Sequence, residues 1–394
     1  MTRNGCRRTR VACVTCCALG RTVAMVAALG VLVVSRGTAQ TIPSRLADST
    51  FWRMVNDLSE PGGSFRSDNF VSNESSFQWI IPELQSTIKP GGVYVGVAPD
   101  QNFTYLVALK PKIAFIVDIR HQNAMQHLMY KAILELSTDR AEFVSRLFSK
   151  PRPAGVDNTS TATALFLALT PGFPDSALYR KNLAAIKDRL TKVHGFTLNE
   201  DELRSLEYVY NAFYQAGPNL TYNFGTGQGG YGGFGRGMPN YQQLMMETDG
   251  AGQSRSYLAS EENFRALKDM EERNLIVPLT GNFAGDKTLR AVGQWVRDRD
   301  AKVTTFYTSN VEQYLWMQGD EASRFYKNVA ALPIDSTSTF IRSNSMRGAM
   351  TGNFHQQSPS SMSLQLMCSI AATIKAFNEG KLTSYYDVIA MSRQ

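Results

Sequence analysis

Residues 91–126 read GGVYVGVAPDQNFTYLVALKPKIAFIVDIRHQNAMQ. Two short apolar runs flank a tight turn and a helix-length segment, and the second run ends on an acid, Asp118. The run KIAFIV is apolar at successive positions, the pattern of a strand buried on both faces rather than one with a wet face. Side-by-side parallel strands require a crossover of a dozen residues or more, usually a helix. The order strand, turn, helix, strand therefore constrains this chain more than any other feature.

The pattern recurs towards the C-terminus. LIVPLTGNF reads as a buried strand, GDKTLRAVGQWVRDRD as a helix and KVTTFYTSN as a strand. VEQYLWMQG, SRFYKNVAAL and SIAATIKAFNEG read as helices, the last capped by Gly380. Strands alternating with helices imply a mainly parallel α/β sheet covered on both faces, a Rossmann-like fold. Before the first strand, residues 48–60 are helical with Phe51, Met54, Val55 and Leu58 on one face, and Pro61-Gly62-Gly63 ends the helix. After the second strand, Met125, Leu128, Met129, Ala132, Ile133 and Leu136 form an apolar helical stripe. Residues 138–262 read as a helical insertion with Gly195 and Gly217 placed as C-terminal caps. Within it, the glycine-rich stretch 224–238 is expected to be a mobile surface loop.

The net charge of +7 is concentrated at one end. Six arginines lie within residues 1–39, ahead of the first acid, Asp48, and removal of that segment leaves 35 basic against 34 acidic residues. A nearly neutral body has no net attraction for phosphate backbones, so nucleic-acid binding is not expected. The arginine-rich start, the apolar run at 23–34 and the small residues Gly37 and Ala39 have the form of an export signal. The expected mature chain is a single domain over 40–394, periplasmic or secreted, without a stable membrane span. The alternative is an uncleaved leader, or a cytoplasmic protein whose start codon is mis-assigned. Cys6, Cys13, Cys16 and Cys17 all lie in the leader, and Cys368 reads as a small core residue in an apolar run.

In open α/β sheets, ligands bind beyond the carboxyl ends of the strands. The candidate site residues are therefore those that follow each strand. Gly96, Ala98, Pro99 and Asp100 form the first turn, and Asp118 and Arg120 follow the second strand. Asn282 follows the third, and Tyr307, Ser309 and Asn310 end the fourth. A turn of small residues lets backbone approach a ligand. A carboxylate at 118 can accept both hydroxyls of a ribose, or alternatively cap the turn into RHQNAMQ. Asp100 is placed to cap the helix that begins after it. GNFAGDKT at 281–288 nearly spells a phosphate-binding loop, but Gly285 is one place early and Asp286 stands beside Lys287, so Asp286 or Thr288 reads better as a helix cap. His121 and His127 lack the i, i+4 spacing of a helical metal pair and read as loop and surface residues, and no metal site is expected. Neither a GxSxG elbow nor an HExxH motif occurs.

The segment 91–136 resembles the cofactor half of class I S-adenosylmethionine-dependent methyltransferases. Gly96 and Ala98 match the first two glycines of that family's turn, and Asp118 matches its ribose-binding acid. Tyr94, Ala98 and Asp100 depart from the family pattern, which often has an acid in the first strand and glycines in the turn. The whole chain also resembles an uncharacterised group of bacterial proteins with this fold. The resemblance implies S-adenosylmethionine as cofactor, Gly96, Ala98, Pro99, Asp100, Asp118 and Arg120 around it, and Asn282, Tyr307, Ser309 and Asn310 facing an unknown small-molecule substrate. No catalytic residue is implied. The alternative expectation is an exported, non-catalytic ligand-binding or interaction protein on the same scaffold, because S-adenosylmethionine is kept in the cytoplasm.

Overall fold

The computed structural model describes residues 41–223, 238–345 and 363–392. The leader, and all of the glycine-rich stretch except Met238, lie outside them. The chain divides into two units, Met1–Thr38 and Ala39–Gln394, and the description below concerns the second.

Six strands form one sheet: β1 (Val93–Gly96), β2 (Ile113–Asp118), β3 (Ile276–Thr280), β4 (Val303–Ser309), β5 (Thr339–Ser345) and β6 (Ser363–Ser369). Their order across the sheet is β3-β2-β1-β4-β5-β6. The first five are parallel and β6 runs antiparallel to β5. Every residue of β1, β2 and β3 is buried, as continuous apolar runs require in a sheet covered on both faces.

Right-handed crossovers place the connecting helices on one face while the chain moves from β1 to β3, and on the other once it returns past β1 to β4. Consistent with this, helix Glu261–Glu272 packs on Gln101–Leu109 and His121–Leu136, whereas Thr288–Arg297 packs on Asp48–Leu58 and Glu321–Ala330. Between β2 and β3 the chain makes a long helical excursion, with His121–Leu136 packed along Glu200–Ala216. Gly195, Gly217 and Gly380 take left-handed φ values of 69°, 58° and 69° at or just beyond helical segments. No helix among the described residues is long and apolar enough to cross a membrane.

The β5–β6 pair is an addition to the sequence reading. The apolar run around Cys368 spans a junction that periodicity does not reveal. β6 ends at Ser369, helix Ile370–Asn378 begins at the next residue, and the Ser369 side chain accepts the Ala372 N–H as its cap. Cys368 is buried there, with its Sγ 3.4 Å from Thr373 Oγ1.

Candidate functional site at the strand-order reversal

β1 has β2 on one side and β4 on the other, so the strand order reverses at its carboxyl end. The chain leaves Gly96 and turns through Val97, Ala98 and Pro99 into helix Gln101–Leu109. Ala98 has φ 66°, a left-handed conformation that costs a non-glycine residue roughly 1–2 kcal/mol. Two buried side chains hold it. Asn102 Nδ2 donates to the carbonyls of Val97, Ala98 and Pro99 at 2.8, 3.2 and 2.7 Å, and its Oδ1 accepts the Tyr94 hydroxyl at 2.9 Å. His127 Nε2 donates to Ala98 O at 3.0 Å. A carbonyl only accepts, so the ring proton sits on Nε2.

The structure thus corrects the placement of His127. It is buried, edge-on to Phe103 at a centroid distance of 5.4 Å, and burial pushes its pKa down to about 4. Gly96 also has a different role from that expected. A side chain there would collide with Asn102 and Tyr94, so its glycine serves the internal brace, and Gly96 does not line the crevice.

Asp100 does not cap its helix: it makes no side-chain cap bond. Its carboxyl points inward, where Oδ2 accepts the Tyr257 hydroxyl at 3.2 Å and Oδ1 has no partner among the described residues. Burial raises its pKa to about 7. Neither Asp286 nor Thr288 caps the helix after β3, where Lys287 holds the cap position and Thr288 Oγ1 donates to Thr280 O at 3.2 Å.

Asp118 ends β2 and lines the crevice, with Arg120 folded back onto it. Asp118 Oδ1 accepts the Arg120 backbone N–H at 2.9 Å and Nε at 3.0 Å, and Oδ2 accepts Nη2 at 2.7 Å. Both side chains are nearly inaccessible, at 5% and 7%. A carboxylate oxygen has two lone pairs, so Oδ1 is saturated by these bonds while Oδ2 keeps one acceptor position. The carboxylate can therefore take one hydroxyl where two were expected.

The loop that resembles a phosphate-binding loop already holds an anion, one from the chain itself. Glu60 Oε1 accepts the Asn282 N–H at 2.7 Å and Oε2 the Lys287 N–H at 3.2 Å, while Lys287 Nζ donates to Ser59 O at 2.5 Å. A side chain at Gly285 would strike the same carboxylate. The side chain of Asn282 is bonded to Glu321 Oε2 at 3.1 Å and to the Ala284 N–H at 2.9 Å. Asn282 lines the crevice with both ends of its amide engaged.

Tyr307, Ser309 and Asn310 all reach the crevice wall. Ser309 has φ 52° and its hydroxyl donates to Glu74 Oε1. Glu74 is 3% exposed, and Gln101 Nε2 donates to its Oε2 at 2.8 Å. Burial raises the Glu74 pKa. Asn310 makes no side-chain cap bond to the short helix Val311–Leu315 that follows. Glu74 and Gln101 escaped the sequence reading. Gln101 carried no signal beyond its place in the turn, and Glu74 lies in the aperiodic segment 64–76, which only the folded chain brings over the end of β4.

Together these groups enclose about 180 Å³ at the carboxyl ends of the central strands. Val97, Ala98 and Pro99 come from the first turn, Asp118 and Arg120 from β2, Tyr307 and Ser309 from β4, and Phe65 and Tyr314 from the covering segments. Three non-glycine residues in left-handed conformations, Asn69, Ala98 and Ser309, line this one crevice. Strained backbone tends to gather at ligand sites. Among the described residues no cluster of His, Cys, Asp and Glu forms a metal-ligand set.

Fold and crevice define an α/β protein with a mostly parallel six-stranded sheet and a crevice at the strand-order reversal. The chain belongs to the family described as "Domain of unknown function (DUF7790)", whose model matches residues 69–164 and 176–387. A search of curated proteins finds no match.

Proposed function

We propose that this crevice binds a nucleoside-type small molecule, with S-adenosylmethionine as the first candidate, in a Rossmann-like domain of the class I methyltransferase type. The observation that carries the reading is the position of Asp118, at the end of β2 beside the left-handed Ala98 turn, with one acceptor site on Oδ2. A ribose hydroxyl is the kind of donor such a site selects. Ala98 and Pro99 present the backbone edge of the turn, and Tyr307 and Asn310 face the same space. Asp100 takes no part, because its carboxyl is turned into the core. If bound, the cofactor supplies an electrophilic methyl group. The substrate is an unknown small molecule. Known ligand pockets commonly span about 300–1,000 Å³. At about 180 Å³ this crevice is narrower, so it holds only part of such a ligand.

A second reading, a non-catalytic ligand-binding protein on the same scaffold, is supported by Arg120, which occupies most of the Asp118 carboxylate. Calorimetric titration with S-adenosylmethionine, on wild type and Asp118→Ala, tests both. The proposal expects wild-type binding that weakens roughly ten- to a hundred-fold in the variant, the range for a lost charge-assisted hydrogen bond. Wild-type binding without methyl transfer to any supplied acceptor favours the second reading. Absence of binding overturns S-adenosylmethionine as the ligand.

A further inference from the structure

We propose that Glu74 is the recognition group of the crevice and selects a ligand that carries a positive charge, such as an amine. This rests on the reading of the crevice as the ligand site. Among the described residues, the charged groups on its wall are Glu74, Asp118 and Arg120. Arg120 is committed to Asp118 through its backbone N–H, Nε and Nη2, so that pair is internally neutral. Glu74 receives neutral donors, Gln101 Nε2 at 2.8 Å and the Ser309 hydroxyl, and the neutral side chains of Tyr307 and Gln365 also act on its carboxyl. Among the described residues it forms no ion pair, although 23 others are formed. The nearby Arg66 lies 6.0 Å over the Tyr314 ring and is not part of the wall.

Among the described residues, one carboxyl group therefore lines the crevice without a counter-charge. Burial penalises its charged form, which an arriving cation would restore. A neutral ligand of the same shape forgoes that gain, and an anion is repelled. The group is also oriented for this task. Gln101 is fixed by Ser72, which donates to its Oε1, and by Tyr105, whose hydroxyl oxygen lies 3.1 Å from Nε2. Ser309 is fixed by its place at the end of β4. Neutral groups of Gln101, Ser309, Tyr307 and Gln365 hold the carboxyl in one pose, so a cation meets a prearranged partner.

Calorimetry with two matched pairs of probes tests the inference: 5′-amino-5′-deoxyadenosine against adenosine, and phenethylamine against 2-phenylethanol. In wild type the amine of at least one pair should bind roughly ten- to a hundred-fold more tightly than its alcohol. Glu74→Gln should abolish that preference. Should this variant fail to fold, wild type labelled with 13C-glutamate gives the same answer. The Glu74 carboxyl resonance should move on adding the amine and stay in place on adding the alcohol. Equal binding of the two nucleosides, with no preference for phenethylamine, overturns the role of Glu74 and leaves the nucleoside reading intact. Preference for phenethylamine lost in Glu74→Gln, with neither nucleoside bound, supports Glu74 and overturns the nucleoside reading. No amine preference in either pair, including no binding at all, overturns the proposal.

Discussion

Asp100 shows how one residue sets a measurable property of this fold. Its pKa rises from 3.8 to about 7 because burial disfavours the charged form more than the Tyr257 hydroxyl favours it. The folded state therefore holds the Asp100 proton where the unfolded chain has lost it. The stability linked to this proton is fully present below about pH 4 and is lost as pH rises through 7. Over that interval the loss is on the order of 3–4 kcal/mol, about 1.4 kcal/mol per pKa unit. Asp100→Asn keeps a neutral hydrogen-bonding group and removes the titration. Denaturant midpoints measured from pH 4 to 8 should therefore fall more steeply for wild type than for the variant, with the variant ahead at pH 8. Parallel curves would refute this account of Asp100. His127 acts at the acid side with the opposite slope. Its pKa is lowered to about 4, so its protonation in the unfolded chain erodes stability as pH falls from about 6.5 towards 4. His127→Phe should flatten that acid limb, at a cost of about 1 kcal/mol for the lost bond to Ala98 O.

The loop after β3 is closed around Glu60, whose carboxylate accepts N–H groups of Asn282 and Lys287. Glu60→Ala leaves both donors without that acceptor and should destabilise the protein by about 1–3 kcal/mol, read from urea unfolding. Gly285→Ala should show a similar loss, because the added methyl meets the same carboxylate. A wild-type midpoint in Glu60→Ala would show that the loop does not depend on its internal anion. The limits of sequence reading also become physical at this scale. The positions of β1 to β3 were legible from apolar runs, that of β4 from its β-branched and aromatic residues, and helix His121–Leu136 from its stripe, because burial and strand geometry impose those patterns directly. The β5–β6 pair was not, because TFIRSNS has only two apolar residues followed by four polar ones in succession, and the strand into Ser369 joins a helix with no loop between them. At the site, Ala98, Asp118, Tyr307 and Ser309 were legible from their places after strands. The partners of those residues were not. Nothing local in SNESSFQW indicates that Glu74 meets Ser309, a contact across 235 positions. The folding-back of Arg120 onto Asp118 is a side-chain choice that sequence spacing permits without requiring.

Across the whole molecule, one sheet carries both the crevice and the charges that anchor its far side. Beyond β4, Arg342 of β5 is fully buried and donates to Glu312 at 2.6 and 3.1 Å, while Tyr326 donates to the same carboxylate at 2.7 Å. This group ties β5 to the helix that follows Ser309. Breaking it by Arg342→Met should cost about 3–5 kcal/mol, because the Glu312 charge is left buried and alone. The double variant Arg342→Met/Glu312→Leu should recover much of the loss, and equal destabilisation of the two would contradict that reading. Under the proposed function, a ligand of nucleoside type enters at the reversal of strand order. Hydrogen–deuterium exchange with and without saturating S-adenosylmethionine tests it most directly. Three sequence-distant segments should gain protection together, 97–101, 118–120 and 309–311, while exchange in the 64–74 cover changes with them. Unchanged exchange in all three segments, or protection confined to another part of the molecule, would contradict the claim.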